Sequence, residues 1–398
     1  MIDILWIWGE TFLRWLHVIA GIAWIGSSFY FMHLDYSLRQ REGLPDRASG
    51  EAWQVHGGGF YHMVKYLVAP ARMPDELTWF KWEAYATWLS GFALLVVVYY
   101  FSASLYLIDP AVMAMSPTVA VLVSVAGLVL GWIVYDQLCR SRIGDDERVL
   151  AAAGFVFLVA LAWLFSQIFS PRGAYMQMGA LIGTIMVANV AMVIIPGQRI
   201  VVADLVAGRT PDPKYGKRGK QRSTHNNYLT LPVIFVMISN HYPLAYATRW
   251  SWVILALVII MGAVIRHFYN TRHRGLPSPW WTWGVSVACA LAIVWLSTLG
   301  PAQGKRADVP SPRTTVAMAE VEEIITGRCA MCHAAEPVWD GIRVAPKGVM
   351  LDTPERIAAH RREIAANSVW SSAMPPSNIT GLTDEERARL AAWVASGS

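Results

Sequence analysis

The chain has 398 residues, of which 55% are hydrophobic and only 15% charged, with 19 Trp. That balance excludes an ordinary soluble domain and points to a polytopic membrane protein, with tryptophan in the excess that bilayer interfaces collect. The net charge of +5 does not argue for a nucleic-acid partner, because Lys and Arg fall in short connections between apolar runs, where they set membrane topology.

A hydrocarbon core of about 30 Å takes about 20 helical residues to cross. By that measure the apolar runs predict eight transmembrane helices, near residues 10–33, 82–105, 117–138, 148–169, 174–196, 227–248, 250–270 and 279–299. The run from Trp6 has no basic leader and no small-residue cleavage site, so it is expected to stay as a helix. Nineteen Lys and Arg residues sit in or beside the odd-numbered connections, and only Arg172 and Arg249 in the even ones. The positive-inside rule then places the odd connections in the cytoplasm and both termini outside. Cys139 and Cys289 lie in or beside apolar segments and imply no disulfide framework.

The predicted organisation is an eight-helix membrane domain over residues 1–299, a linker over 300–313 rich in Gly, Pro, Lys and Arg, and a small all-α domain over 314–398. In that last part Cys329-Ala330-Met331-Cys332-His333 is the spacing of covalent haem attachment: two thiols add across the vinyl groups and the histidine ligates iron. Four Cys and ten His in the whole chain make a chance match rare. A structural thiol pair is the bland alternative, and zinc would need a second ligand pair where only His360 offers itself. Met374, in Ala373-Met374-Pro375-Pro376, is the expected second axial ligand ahead of Met350 and Met318, because the prolines stiffen the loop that presents it. The fold expected here is that of a class I-like cytochrome c. Bacterial covalent haem attachment takes place on the outer face of the inner membrane, which agrees with the orientation read from charge.

Histidines inside spans are costly and become functional candidates. His17 and His241 fall at matched depth, about 10 Å below the outer face at 1.5 Å per residue, and could hold a non-covalent b-type haem, with Arg14 one turn outward beside a propionate. A hydrogen bond to a helix carbonyl is the competing role for each. Toward the cytoplasmic face lie His33, His56, His62, His225 and His267; a second haem held by a pair among His33, His62, His225 and His267 is a looser expectation. In His56-Gly57-Gly58-Gly59-Phe60-Tyr61-His62 the glycines could let backbone approach a ligand. Pro196-Gly197, Pro232 and Pro243, with Asn189 and Asn240, signal either broken helices lining a cavity or ordinary kinks.

The stretches Trp15 to Gly26, His56 to Tyr61, Ser223 to Pro232 and Ser239 to Pro243, together with the C-terminal haem motif, resemble the membrane-bound bacterial urate oxidases fused to cytochrome c. The first helix is also faintly similar to that of membrane protoporphyrinogen oxidases that use a haem-ligating histidine. The resemblance implies oxidation of urate to 5-hydroxyisourate in purine breakdown, with electrons passed to the covalent haem and on to a soluble cytochrome c or terminal oxidase without release of peroxide. Such a reaction needs a base, a site for a planar purine anion and a one-electron exit. On this reading His56, Tyr61, His62, His225, Asn226 and Asn227 form the urate site. A quinol-fed electron relay and a transporter or sensor with a redox tail are the competing classes.

Overall fold

A computed structural model describes residues 2–66, 70, 73–301, 316–340 and 342–396; most of the expected linker lies outside them. The chain is mostly helical. α1 (Ile2–Ser37) leads into an antiparallel hairpin, β1 (Ala48–His56) and β2 (Gly59–Tyr66). α2 (Trp82–Leu94) continues through a π-helical turn, Leu95–Tyr100, to the short α3 (Ala103–Tyr106). There follow α4 (Pro117–Arg140), α5 (Glu147–Ser166), and α6 (Pro171–Ala188), which runs through a second π-helical turn, Asn189–Ile194, into α7 (Ile195–Val206). α8 (Pro213–Ile238), α9 (Pro243–Tyr246), α10 (Ser251–His273) and α11 (Trp281–Ser297) complete the bundle. The C-terminal part holds α12 (Met318–Arg328), α13 (Pro354–Ala359), α14 (Arg361–Ile364) and α15 (Asp384–Ser396).

Local chemistry fixes several helix starts. Ser116, Ser170 and Asp212 each precede a proline, and their side-chain oxygens accept from the backbone N–H of Val119, Gly173 and Lys214. Proline needs no hydrogen-bond acceptor in the first turn and its φ already suits the helix, so Ser-Pro and Asp-Pro mark clean N-termini. α8 and α10 approach so closely that a Cβ on Gly262 would stand 2.7 Å from Pro232 Cδ. Glycine is therefore required at that crossing.

Among the described residues six helices are long and apolar enough to cross a membrane: Ile4–Ser37, Trp82–Tyr100, Pro117–Arg140, Glu147–Ser166, Pro171–Val206 and Ser251–His273. Trp281–Ser297 is apolar but shorter. The expected span at 227–248 departs most: the helix ends at Ile238, gives way to a 3-10 turn at Ser239–His241, and resumes only as α9. Its first half, from Pro213 to Arg222, is charged. Apolar side chains face outward along the bundle, including Trp15 (65% exposed), Ile22 (65%), Val156 (64%) and Leu291 (66%). A surface of this kind is stable only when covered by lipid or another apolar phase.

α6 is the central helix, with Met178, Leu181, Ile182 and Ile185 fully buried. A separate core built on Val321, Ile325, Ile357, Leu390 and Trp393 holds the C-terminal helices together. The two parts are docked. Ser372 N–H donates to Ala247 O at 3.1 Å, Ser377 Oγ donates to Ile108 O at 2.6 Å, and Ala373 packs against the main core of the bundle.

The hairpin corrects an all-helical expectation. Gly57 (φ +59°) and Gly58 (φ +80°) form its two-residue turn, with His56 paired to Gly59. Both positions need positive φ, as in a type I′ turn. These two glycines serve the turn rather than a ligand's close approach.

Candidate functional site

Among the described residues one cavity of the bundle lies toward the end on which the C-terminal part docks, and another at the opposite end. The first has a volume of about 440 Å³ and is lined by His17, His241, Arg14, Arg172 and Asn240 among mostly apolar side chains from α1, α2, α6 and α8. That size is within the range of cofactor pockets, and a few polar groups in an apolar wall is their usual composition.

His17 is held in a defined orientation. Its Nδ1 lies 3.0 Å from Thr87 O and 3.2 Å from Ser90 Oγ. A carbonyl can only accept, so Nδ1 carries the proton and Nε2 keeps its lone pair available to the cavity. The imidazole sits in a gap that exists only because residue 91 is glycine: a Cβ there would stand 2.7 Å from His17 Cε1. Histidines that ligate metal donate their other ring N–H in this way, fixing tautomer and ring plane.

His241 reaches the same cavity from the break after α8. Its neighbour Asn240 is pinned by Tyr99, whose OH donates to Asn240 Oδ1 at 2.9 Å, and by Arg172 Nε at 3.2 Å. Arg14, expected beside a propionate, lines the cavity and is bonded to Glu10, its Nε 2.9 Å from Oε1. Arg172 is the cation that sequence reasoning missed. Its guanidinium lies over the Tyr106 ring at 4.7 Å, and among the described residues it has no ion-pair partner. It carried a signal nonetheless, being one of two basic residues on the side that the charge count leaves almost bare.

The Cys329–His333 motif closes α12. His333 N–H donates to Cys329 O at 2.9 Å, and its Nδ1 donates to Val349 O at 2.9 Å, so Nε2 is again the free ring nitrogen. Met374 stands in the loop that docks on the bundle, its N–H bonded to Asn367 O at 2.8 Å. Both histidines thus present the same ligating nitrogen, backed by a backbone carbonyl, and these residues fit a haem at each place. Among the described residues no three His, Cys, Asp or Glu side chains converge.

At the opposite end a buried polar network joins α4, α6 and α8. Asn189 Nδ2 donates to Tyr135 OH at 3.1 Å and to Asn226 Oδ1 at 2.9 Å. Tyr135 OH is in turn hydrogen-bonded to His225 Nδ1 at 2.7 Å. Arg222, 3% exposed, reaches Asn189 Oδ1 at 3.1 Å and Asp136 Oδ1 at 2.7 Å. His225 and Asn226 are therefore brought together through Tyr135 and Asn189. Asn227 faces a different group, accepting from Arg266 Nε at 3.3 Å and Asn270 Nδ2 at 3.0 Å. Arg222, Tyr135, Asn189 and Asp136 were not singled out for this end from the sequence.

The hairpin residues stand apart from that network. His56 and Tyr61 are exposed, and His62 is bonded to Glu51 at 2.6 Å and stacked on Trp53 at 4.2 Å. The histidines considered for a second haem are each engaged separately: His33 against His273 at 4.5 Å, His267 against Trp281 at 6.0 Å, His225 with Tyr135, and His62 with Glu51.

Apolar helices around a cavity that two histidines and an arginine line define a multi-helix protein equipped to hold a ligand in its interior. The sequence matches the family model Urate oxidase N-terminal over residues 3–297, so the chain belongs to that family. It is a urate oxidase-related protein, and the family makes it an oxidoreductase. No curated protein matches the chain, and no solved structure does.

Proposed function

We propose that the protein is a membrane-bound, cytochrome c-linked urate oxidase. Urate and water give 5-hydroxyisourate, two protons and two electrons, and the electrons leave one at a time. On this reading the C-terminal part lies in the periplasm of a bacterial inner membrane, residues 227–248 and 279–299 cross the bilayer with the six longer helices, and the respiratory chain takes the electrons through a soluble cytochrome c or a terminal oxidase.

The observation that carries the reading is the cavity that His17 and His241 share, in a chain of the urate oxidase family. His17 and His241 would hold a b-type haem there, with Arg172 beside its propionates; Cys329 and Cys332 would attach a c-type haem ligated by His333 and Met374. Bound haem supplies one-electron exchange at both places. The protein's own work is to fix distances. His241 is six residues from Ala247, whose carbonyl takes the Ser372 N–H, and Met374 follows two residues later. Tyr135 and His225 form a hydrogen-bonded pair able to pass on a proton released at the network.

The test is anaerobic addition of urate to the purified full chain, with haems counted by pyridine haemochrome. Reduction of the c-type absorption by urate is expected. Reduction by a quinol and not by urate would establish the relay instead. Replacing His17 or His241 by Ala should remove b-type absorbance and spare the covalent haem; persistence of that absorbance in both variants rules out the pair.

A further inference from the structure

The second cavity, about 130 Å³, lies between the π-helical turn after α6, α7 and the start of α8. One wall is apolar, with Met192, Val193 and Ile200; the other carries Arg218, Gln221 and Arg222. With a water's share of liquid volume at about 30 Å³, it has room for one small planar molecule. Arg222 and Arg140, which also lines it, share the single carboxylate of Asp136, at 2.7 Å to Oδ1 and 2.7 Å to Oδ2. Arg218 has no ion-pair partner among the described residues, because the nearby Asp212 pairs with Lys214 at 2.8 Å. Three arginines therefore line the cavity beside the one carboxylate of Asp136; Arg222 is buried, and Arg140 and Arg218 are exposed. A buried cation without full compensation attracts an anion.

The hydrogen-bonding pattern narrows the anion. Gln221 spends its Nε2 on Gly144 O at 2.9 Å, so its Oε1 remains to accept an N–H. Arginines offer paired donors to carbonyl oxygens, and Tyr215 on the same lining offers a ring and a hydroxyl. A ligand with ring carbonyls, ring N–H groups, a flat shape and one negative charge meets all of these. We propose that this cavity binds the substrate as a planar oxopurine monoanion, held by Arg218, Gln221 and Arg222. The proposal rests on the urate reading and gives it a place.

The position suits the chemistry. Arg222 is bonded to Asn189, Asn189 to Asn226, and Asn226 Nδ2 donates at 2.9 Å to the carbonyl of Met186, which lines the first cavity. An anion on Arg222 is thus one chain of hydrogen bonds from the His17 and His241 cavity and beside the Tyr135–His225 pair.

Cys139 also lines this cavity and supplies a readout that needs no turnover. In the full chain carrying Cys289→Ser, N-ethylmaleimide labelling of Cys139 is followed by mass spectrometry with urate, with a neutral purine, and in discs of zwitterionic or anionic lipid. Urate should slow labelling several-fold where the neutral purine does not, and Arg218→Ala should raise the half-protecting urate concentration about tenfold, the loss of one charged hydrogen bond. Arg218 is exposed, so its replacement leaves folding intact. If urate reduces the haem yet leaves labelling unchanged, the site is wrong and the oxidase reading stands. If urate protects Cys139 without reducing haem, the anion site stands and the oxidase reading falls; if it does neither, both fall. Protection by anionic lipid that urate cannot add to assigns the arginines to a headgroup and overturns the proposal.

Discussion

Replacement of Gly91 by Ala isolates the seat of His17 from every other feature of the bundle. The new Cβ would stand 2.7 Å from His17 Cε1 and 3.1 Å from Nδ1, so the ring must withdraw by roughly 0.5–1 Å to ordinary contact. Withdrawal acts on the Nδ1 bonds to Thr87 O and Ser90 Oγ, whose loss costs about 1 kcal/mol. A ring forced about 30° off its rotamer adds roughly 0.5–1.5 kcal/mol. Together, about 1.5–2.5 kcal/mol corresponds to haem binding weakened roughly 10- to 70-fold, in line with the cost of disturbing groups that orient a metal ligand. The assay is haem titration of the stripped protein with the reduced-minus-oxidised spectrum as readout, the covalent haem serving as internal standard. Wild-type b-type haem affinity in the Gly91→Ala protein would falsify the assignment of His17 as a ligand oriented through Nδ1, since no other partner of the ring would have been spared.

Three further outcomes follow from other contacts. Arg172→Gln removes a positive charge that favours the reduced haem, so the midpoint potential of the b-type haem should fall; one charge at about 10 Å and an effective dielectric near 20 gives roughly 1–2 kcal/mol, or about 40–90 mV, in a redox titration. Ser377→Ala deletes the bond to Ile108 O that helps seat the Met374 loop, so haem c reduction should slow in stopped flow while both spectra stay unchanged; an unaltered rate means that docking does not limit transfer. Glu386 is partly desolvated, which raises its pKa, but Thr383 N–H and Arg328 outweigh this and hold the carboxyl below its usual value. Its stabilisation is complete above the unfolded Glu value near about 4.3 and fades as pH falls through the lower folded value. Thermal melts of Glu386→Gln should accordingly lose the acid-side drop in Tm seen with the native residue.

How much of this was legible in the sequence varies with the physical cause. Long apolar runs mark helices because only backbone-satisfied segments suit a greasy surface, and the runs at 117–138 and 148–169 lie within a few residues of α4 and α5. The run at 227–248 hides the break at Ser239–His241, because hydropathy averages over it, and that break delivers His241 to the cavity. The hairpin was hidden by its own composition: His56 to His62 reads as a loop with a curious glycine run, and only pairing with β1 shows that Gly57 and Gly58 are turn residues. His17 and His241 were legible together because depth along a helix can be counted. Asn189 was legible as a polar residue inside a span, but its meeting with Arg222 and Asp136 was not, since the three come from three helical segments and no spacing along the chain encodes that meeting.

Arg172 and Arg249 are the two exceptions to the charge asymmetry. A basic residue on the sparse side weakens the topological signal, so it persists more readily where it has another task. Arg172 faces the first cavity, bonded to Asn240 beside His241. Arg249 stands where its N–H donates to Gly300 O at 3.3 Å, joining the end of the bundle to the segment that leads to the C-terminal part, next to the Ala247 carbonyl that receives Ser372. In the proposed orientation both exceptions therefore fall along the path from the cavity to Met374. On that proposal the sequence rule and the geometry would be parts of one arrangement, with positive charge kept inside the cell except beside the cavity and at the junction to the C-terminal part. Because the Ser372 and Ser377 bonds hold the Met374 loop against the bundle, the distance of the C-terminal part from the cavity is set by contact, and not by the reach of the linker.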